Sequence, residues 1–259
     1  MKQLRDYQAN SINLVRGSSA SGKKHPMLQL STGAGKTLIA ANIVKSARAK
    51  DKRVIFVVPA LSLINQTVEA FRQEGLTEVG VIQADHPLTN YSKPIQIASI
   101  QTVSRRKHIP DADLVIVDEA HVQFKSLYTW MERWNAIPFV GLSATPWSKG
   151  LGKHYDDLLI GATTKDLIDR GYLSDFKVFA PSTPDLSKVR TLAGDYHEGD
   201  LSAVMGDSSV IGSVVGNWLE KGLNLPTLCF GVDRAHAKAL ALEFQQNGVE
   251  TAYIDAYTD

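Results

Sequence analysis

The sequence has a single cysteine, Cys229, in 259 residues, so no disulfide can form within the chain and a reducing cytoplasm is the expected setting. It has almost no surplus of charge: 28 Lys and Arg against 27 Asp and Glu leave a formal net charge of +1. No global basic excess announces nucleic acid, so any such partner must be met by local patches. No run approaches the roughly 18 apolar residues that cross a bilayer. The opening MKQLRDYQANS has no apolar signal core, so no membrane is expected as a partner. His and Cys nowhere share the spacing of a zinc site, and neither repeats nor low-complexity tracts occur. What is there, 44% hydrophobic and 21% charged, suits a globular chain of one or two domains with a substantial core.

Apolar, β-branched runs alternate with helical patterns. PMLQL (26–30), RVIFVVP (53–59), PIQIASI (94–100), DLVIVDEAH (113–121) and FVGLSAT (139–145) are too continuously apolar for one-sided strands. They predict an α/β fold, a parallel sheet buried on both faces by flanking helices. The pattern loosens after 150, which predicts a first domain over 1–150 and a linker over 151–176 with a short helix in TTKDLIDRG. The third segment, 177–259, has candidate strands in FKVFAP, TLCFGV and ETAYIDA and helices near 210–221 and 234–247. Three strands are few for a domain of this kind, so it is expected to be incomplete.

Two stretches compete as phosphate loops. GSSASGKK (17–24) has the opening glycine of G-x-x-x-x-G-K-[ST] but ends in Lys24 where a hydroxyl is needed, follows no apolar run and leads into His25-Pro26. It predicts a basic surface loop. LSTGAGKT (30–37) has Leu30 for the first glycine, yet it follows a strand candidate and precedes KTLIAANIVKSARAK, where Ile39, Ile43 and Ala47 form a helical stripe. Gly33 and Gly35 can take positive φ, and backbone N–H groups over Thr32, Gly33, Ala34 and Gly35 can converge on phosphates at the helix N-terminus. Lys36 would reach the phosphates and the Thr37 hydroxyl would hold Mg2+. GLGK (150–153) lacks any hydroxyl after its lysine and is expected to be part of the linker.

Magnesium needs carboxylates at a neighbouring strand end. LVIVDEAH runs four apolar residues into Asp118, suited to hold Mg2+, and Glu119, suited to orient or deprotonate a water. Alone this would be an acidic turn; a correct phosphate loop 82 positions earlier (118 minus 36) favours the metal reading. In ASIQT, Ser99, Gln101 and Thr102 offer neutral donors at a strand end, suited to phosphate oxygens. Arg105, Arg106 and Lys107 follow as a basic patch, open to a second reading as solvated charge.

With these motifs in hand the sequence resembles the superfamily 2 helicases and translocases, DEAH type, and among them the helicases of phages and prophages and the motors of restriction-type translocases. LRDYQ resembles the adenine-recognising element, which implies Gln8 as a cofactor contact; on its own Gln8 would be a surface glutamine. VVPALSLINQT resembles motif Ia, which implies Pro59, Leu61 and Ser62 on the nucleic-acid track, with Ser62 placed to cap a helix in any case. ASIQT resembles motif Ib, and SATP resembles motif III, which implies that Ser143 and Thr145, with His121 of the DEAH box, couple nucleotide state to domain movement. CFGVDRAHAKAL resembles the opening of a second RecA-like domain. The resemblance implies a RecA-like fold, ATP and Mg2+ as cofactors, nucleic acid as partner, DNA favoured over RNA, and catalytic roles for Lys36, Asp118 and Glu119. The Q-x-x-G-R-x-x-R signature of motif VI does not occur. A piece of a larger helicase, weakly active by itself, is therefore expected, with a nucleotide-gated binding module as the alternative. Oligomeric state stays open.

Overall fold

The computed structural model describes residues 3–83, 85–106, 108–180, 184–192 and 195–258. Lys107 of the expected basic patch lies outside them. Two compact units divide the chain, Met1–Asp175 and Phe176–Asp259.

The first unit is built on seven strands: β1 (Pro26–Leu30), β2 (Val54–Val58), β3 (Val79–Ile82), β4 (Ile95–Ser99), β5 (Leu114–Val117), β6 (Phe139–Ser143) and β7 (Asp157–Ala162). They form one sheet in the order β3-β4-β2-β5-β6-β1-β7, and every pairing is parallel. Parallel neighbours need crossovers, which the helices α1 (Asp6–Ala20), α2 (Lys36–Arg48), α3 (Leu63–Gln73), α4 (Ile100–Arg105), α5 (Lys125–Arg133) and α6 (Thr164–Asp169) accompany. Side chains on a strand alternate between faces, and β2 displays this plainly. Val54, Phe56 and Val58 enter one core with Ile12, Ile39, Val44 and Phe71 of α1 to α3. Ile55 and Val57 enter a second core with Val103 of α4 and Trp130 of α5. Both faces are covered, so the strands read as unbroken apolar runs, as expected.

Several expectations are corrected here. Residues 17–20 of GSSASGKK are the last turn of α1 rather than a loop, and Ser18 Oγ donates to Asp157 Oδ2 at 2.6 Å while Lys23 Nζ donates to the Asp156 carbonyl at 2.9 Å. These contacts with a segment some 130 positions away hold it in place. The expected linker from 151 belongs to the first unit: β7 pairs with β1 along its length, and Leu151 is buried in the second core. Its alternation of half-buried and exposed residues, with Leu158 and Ile160 exposed, marks an edge strand, although Leu158, Leu159 and Ile160 form a short apolar run in sequence.

The second unit contains α7 (Glu198–Met205), α8 (Ser208–Lys221) and α9 (Arg234–Gln246), with a two-residue antiparallel pair, β8 (Thr191–Leu192) and β9 (Asp195–Tyr196). The two helices near 210–221 and 234–247 stand where expected. The strands expected in FKVFAP, TLCFGV and ETAYIDA do not: none of their described residues belongs to a strand, and Leu228, Phe230 and Ile254 are exposed. β-propensity produces a strand only where another strand offers its hydrogen-bonding edge, and among the described residues none does so here.

Candidate nucleotide and nucleic-acid site

The phosphate loop joins β1 to α2 through two left-handed glycines, Gly33 at φ 79° and Gly35 at φ 83°. Gly35 occupies the N-cap position of α2, whose first turn carries no acidic residue and whose N-terminus has no side-chain cap. Such an end leaves its orphan N–H groups and positive dipole for an anion. Thr32 and Thr37 are exposed beside it, Lys36 is half-buried, and Ala34 is buried.

The loop is braced from two sides. Tyr7 Oη and Gln8 Nε2 both donate to the Ala34 carbonyl, at 3.0 and 2.9 Å, and Gln8 Oε1 accepts from the Arg5 N–H at 2.9 Å. Gln8 is thus buried, not a surface glutamine. A Cβ on Gly35 would stand 2.6 Å from Gln8 Nε2, and one on Gly33 2.9 Å from Leu173 Cδ2. The segment after α6 supplies the second brace: Tyr172 packs on Tyr7 with ring centroids 5.2 Å apart, Arg5 lies 4.7 Å over the Tyr172 ring, and Arg170 pairs with Asp6. Sequence reading missed Arg5, Tyr7, Arg170, Tyr172 and Leu173. The Asp6–Arg170 contact spans 164 positions, and no local pattern reports it.

Opposite the lysine lies the acidic pair. In the sheet β6 separates β1 from β5, so Lys36 after β1, Ser143 ending β6 and Asp118 after β5 share the carboxyl edge. Lys36 Nζ is 3.8 Å from Glu119 Oε1. Glu119 has φ 47°, a left-handed conformation rare for a residue with a Cβ. Its carboxylate also approaches His121 Nδ1 at 3.4 Å, and that nitrogen lies 2.9 Å from Ser143 Oγ, which accepts from the Thr145 N–H at 3.0 Å. The residues expected to couple, His121, Ser143 and Thr145, are therefore joined by hydrogen bonds, and the Glu119 carboxylate lies beside His121 at one end of them. Burial, and next the neighbouring Glu119 charge, push the Asp118 carboxyl above its usual range, while the Glu119 N–H and Lys36 pull the other way. A half-buried carboxylate with a raised pKa, an exposed threonine hydroxyl and a lysine on an uncapped helix end form a donor set that fits Mg2+ and a polyphosphate.

The expected track residues divide. Gln101 Nε2 donates to the Pro59 carbonyl at 2.8 Å, joining the segments that resemble motifs Ia and Ib, and Leu61 and Ser62 are exposed. Ser62 sits at the N-cap of α3 but in a helical conformation, and its side chain caps nothing, contrary to expectation. Ser99 is fully buried and caps α4, accepting from the Thr102 N–H at 3.2 Å and meeting Thr102 Oγ1 at 3.0 Å. Its hydroxyl is engaged within the fold, as cap geometry dictates for a serine between strand and helix. Arg105 is exposed, and Arg106 lies 5.9 Å over the Tyr91 ring.

Among the described residues no helix is long and apolar enough to cross a membrane, and no group of three or more His, Cys, Asp and Glu is placed to hold a metal ion. Magnesium at the site above would therefore rest on Thr37, Asp118 and the phosphates.

Known proteins share this arrangement to different extents. The chain is 28% identical to the putative ATP-dependent helicase IRC3 of Saccharomyces cerevisiae, over 98% of its own length and 41% of that protein. It is 26% identical to a 51.5 kDa protein of a Lactococcus phage, over 90% of its length and 49% of that protein. It thus spans under half the length of either relative. In fold it is similar to the UvsW helicase of bacteriophage T4, with a TM-score of 0.53 at 18% identity over 61% of this chain and 60% of that one. The family described as "Type III restriction enzyme, res subunit" matches residues 1–148, more than half of the 259. The chain belongs to that family, and its parallel sheet is the RecA-like fold of superfamily 2 helicases.

Proposed function

We propose that this chain is the ATP-hydrolysing motor of a nucleic-acid helicase or translocase, acting on DNA in preference to RNA. The convergence of Lys36 and Glu119 to 3.8 Å across the carboxyl edge of the sheet carries the reading. Membership in a restriction-enzyme family and likeness to a putative ATP-dependent helicase support it.

Lys36 and the first N–H groups of α2 would hold the β- and γ-phosphates, with Thr37 and Asp118 holding Mg2+. The ion, when bound, neutralises the charge that develops on the transferred phosphoryl group. Gln8, already joined to the Ala34 carbonyl, would tie the adenine to the loop. Glu119 would orient the attacking water and accept its proton. Its left-handed backbone turns the carboxylate back toward Lys36, and His121 holds the second oxygen. The link from His121 through Ser143 to Thr145 would carry the charge state of Glu119 away from the phosphates. Pro59, Leu61, Ser62, Gln101, Thr102, Arg105 and Arg106 would meet the nucleic-acid backbone, with Ser99 shaping that surface as a helix cap. Residues 177–259 would contribute part of a second RecA-like domain.

Glu119→Gln tests the assignment. The variant should keep Mg-ATP affinity and lose DNA-stimulated hydrolysis by at least about a hundredfold, the usual contribution of a positioned general base. ATPase assays with single-stranded DNA, duplex DNA and RNA, for wild type and variant, measure both effects. Unchanged turnover in the variant would remove Glu119 from catalysis, and wild-type hydrolysis indifferent to every nucleic acid would remove the motor reading.

A further inference from the structure

A groove lies between α4 and α5, away from the phosphate loop; of the residues assigned above it includes Arg106. Its volume is about 450 Å³, inside the 300–1,000 Å³ range typical of ligand sites. Ser126, Thr129, Trp130 and Arg133 follow the i, i+3, i+4, i+7 pattern, so a single stripe of α5 forms one wall. Val103 of α4 and Trp130, each buried, form the floor. At one end Ser104 Oγ donates to Ser126 Oγ at 2.6 Å and ties the two helices together. Arg106, Arg133 and Trp134 line it further, together with His108, Ile109 and Asp111.

Three features suit this groove to an anionic, aromatic ligand. Among the described residues neither Arg106 nor Arg133 forms an ion pair with a carboxylate, although Asp111 also lines the groove. Their positive charge is uncompensated on a chain whose formal net charge is only +1. Trp134 is half-buried and tilted against Trp130, with ring centroids 5.2 Å apart. Trp130 Nε1 is buried with no hydrogen-bond partner, a donor that structures rarely leave unmet. Position then selects among ligands. α4 is capped by Ser99, on the expected nucleic-acid track, and its six residues cover about 9 Å at 1.5 Å per residue before Arg106. The groove therefore continues that track down the side of the unit.

We propose that this groove is a second nucleic-acid contact site, taking a single-stranded segment with phosphates on Arg106 and Arg133 and a base against Trp134. Guanidinium groups beside an accessible aromatic face are the elements by which proteins hold single strands without reading sequence, and Trp134, half-buried, keeps part of its ring open. The inference rests on the motor reading and adds a place where a strand leaving the track is held.

The test uses the full chain and oligothymidylates carrying one 5-iodouracil, which cross-links to aromatic side chains on irradiation. Wild type should cross-link at Trp134. Arg106→Ala/Arg133→Ala should weaken binding about tenfold and flatten the slope of log K against log salt by about 1.4, at roughly 0.7 per phosphate contact on a single strand. Trp134→Ala should also weaken binding about tenfold, the order expected for one stacked base, while Trp134→Phe should keep most of the affinity. Arg133 is exposed and Arg106 half-buried against Tyr91, outside both cores, so the double variant is expected to fold, and its thermal transition checks this. An unchanged salt slope with no cross-link at Trp134, while wild type still binds the oligomer, would overturn the groove and leave the motor reading intact. Absence of any oligonucleotide binding by wild type would overturn both. Binding of thymidine monophosphate as tight as that of the oligomer would reassign the groove to free nucleotides. Loss of polyglutamate binding in the double variant, with oligonucleotide binding unaffected, would reassign it to an acidic polypeptide.

Discussion

Glu119 and Asp118 are adjacent carboxylates under different constraints. Glu119 occupies a left-handed backbone that costs a non-glycine residue on the order of 1–3 kcal/mol, and Asp118 is held where burial disfavours its charge. A group whose folded pKa is raised above its unfolded value weakens the fold as pH rises through that range, because the ionised form is better solvated in the unfolded chain. Asp118→Asn removes this titration. Without Mg2+ the variant should melt higher than wild type at pH 7, and the difference should shrink as pH falls below the ordinary carboxyl value of 3.8, where both states of wild type become protonated. The same variant should lose the stabilisation that Mg-ATP gives wild type. Thermal melts across pH, with and without Mg-ATP, measure both effects. The two candidate loop lysines separate as sharply. Lys36→Ala should weaken ATP binding by about 10- to 150-fold, the value of a charged hydrogen bond of roughly 1.5–3 kcal/mol. Lys23→Ala should change it by less than twofold, since Lys23 Nζ is spent on the Asp156 carbonyl. Calorimetric titration decides between them.

Among the elements, β6 sits at the centre of the candidate catalytic edge. It lies between the strand that carries the phosphate loop and the strand that carries the carboxylates, and Gly141 in its centre allows a close approach from both. A Cβ there would stand 2.7 Å from Tyr155 Cε1, 2.9 Å from Met27 Sδ and 3.0 Å from the Ala120 Cβ. Gly141→Ala should therefore destabilise the first unit by about 1–3 kcal/mol, the usual cost of overpacking, measured by urea unfolding. Because Ala120 follows Glu119 directly, hydrolysis should fall by more than the unfolded fraction explains. Five of the seven strands were legible as apolar runs because a strand covered on both faces needs no polar side. β3 is only four residues long and was not read. β7 carries a short apolar run over 158–160 but lies in the expected linker, and only its pairing with β1 shows it to be a strand. The strands read in the second unit failed for the opposite reason: their composition is right, but a ladder needs a partner.

At the scale of the whole molecule the apolar core is unevenly distributed. Both large clusters of buried hydrophobic side chains lie within Met1–Asp175, whereas among the described residues of the second unit only Val189, Ile211, Val215, Leu240 and Phe244 are buried hydrophobics. Unfolding should therefore proceed in two transitions. The second unit should melt first and bind hydrophobic dyes through residues such as Phe230 and Leu228, and residues 1–175 alone should keep the higher transition within a few degrees. A single cooperative transition of the full chain, lost on removal of 176–259, would contradict this. The sequence by itself determined the α/β class and singled out GAGKT over GSSASGKK and the DEAH carboxylates as candidates. Each follows from local chemistry, namely glycines that permit positive φ, a hydroxyl after the lysine, and acids directly after an apolar run. Only the tertiary structure decided that Tyr7, Gln8 and Leu173 brace the loop, that Ser99 is spent as a cap, that the segment after 150 completes the sheet, and that Arg106 and Arg133 share a groove. Those contacts join residues far apart in the chain. Their energy depends on burial and distance, which no local window of sequence contains.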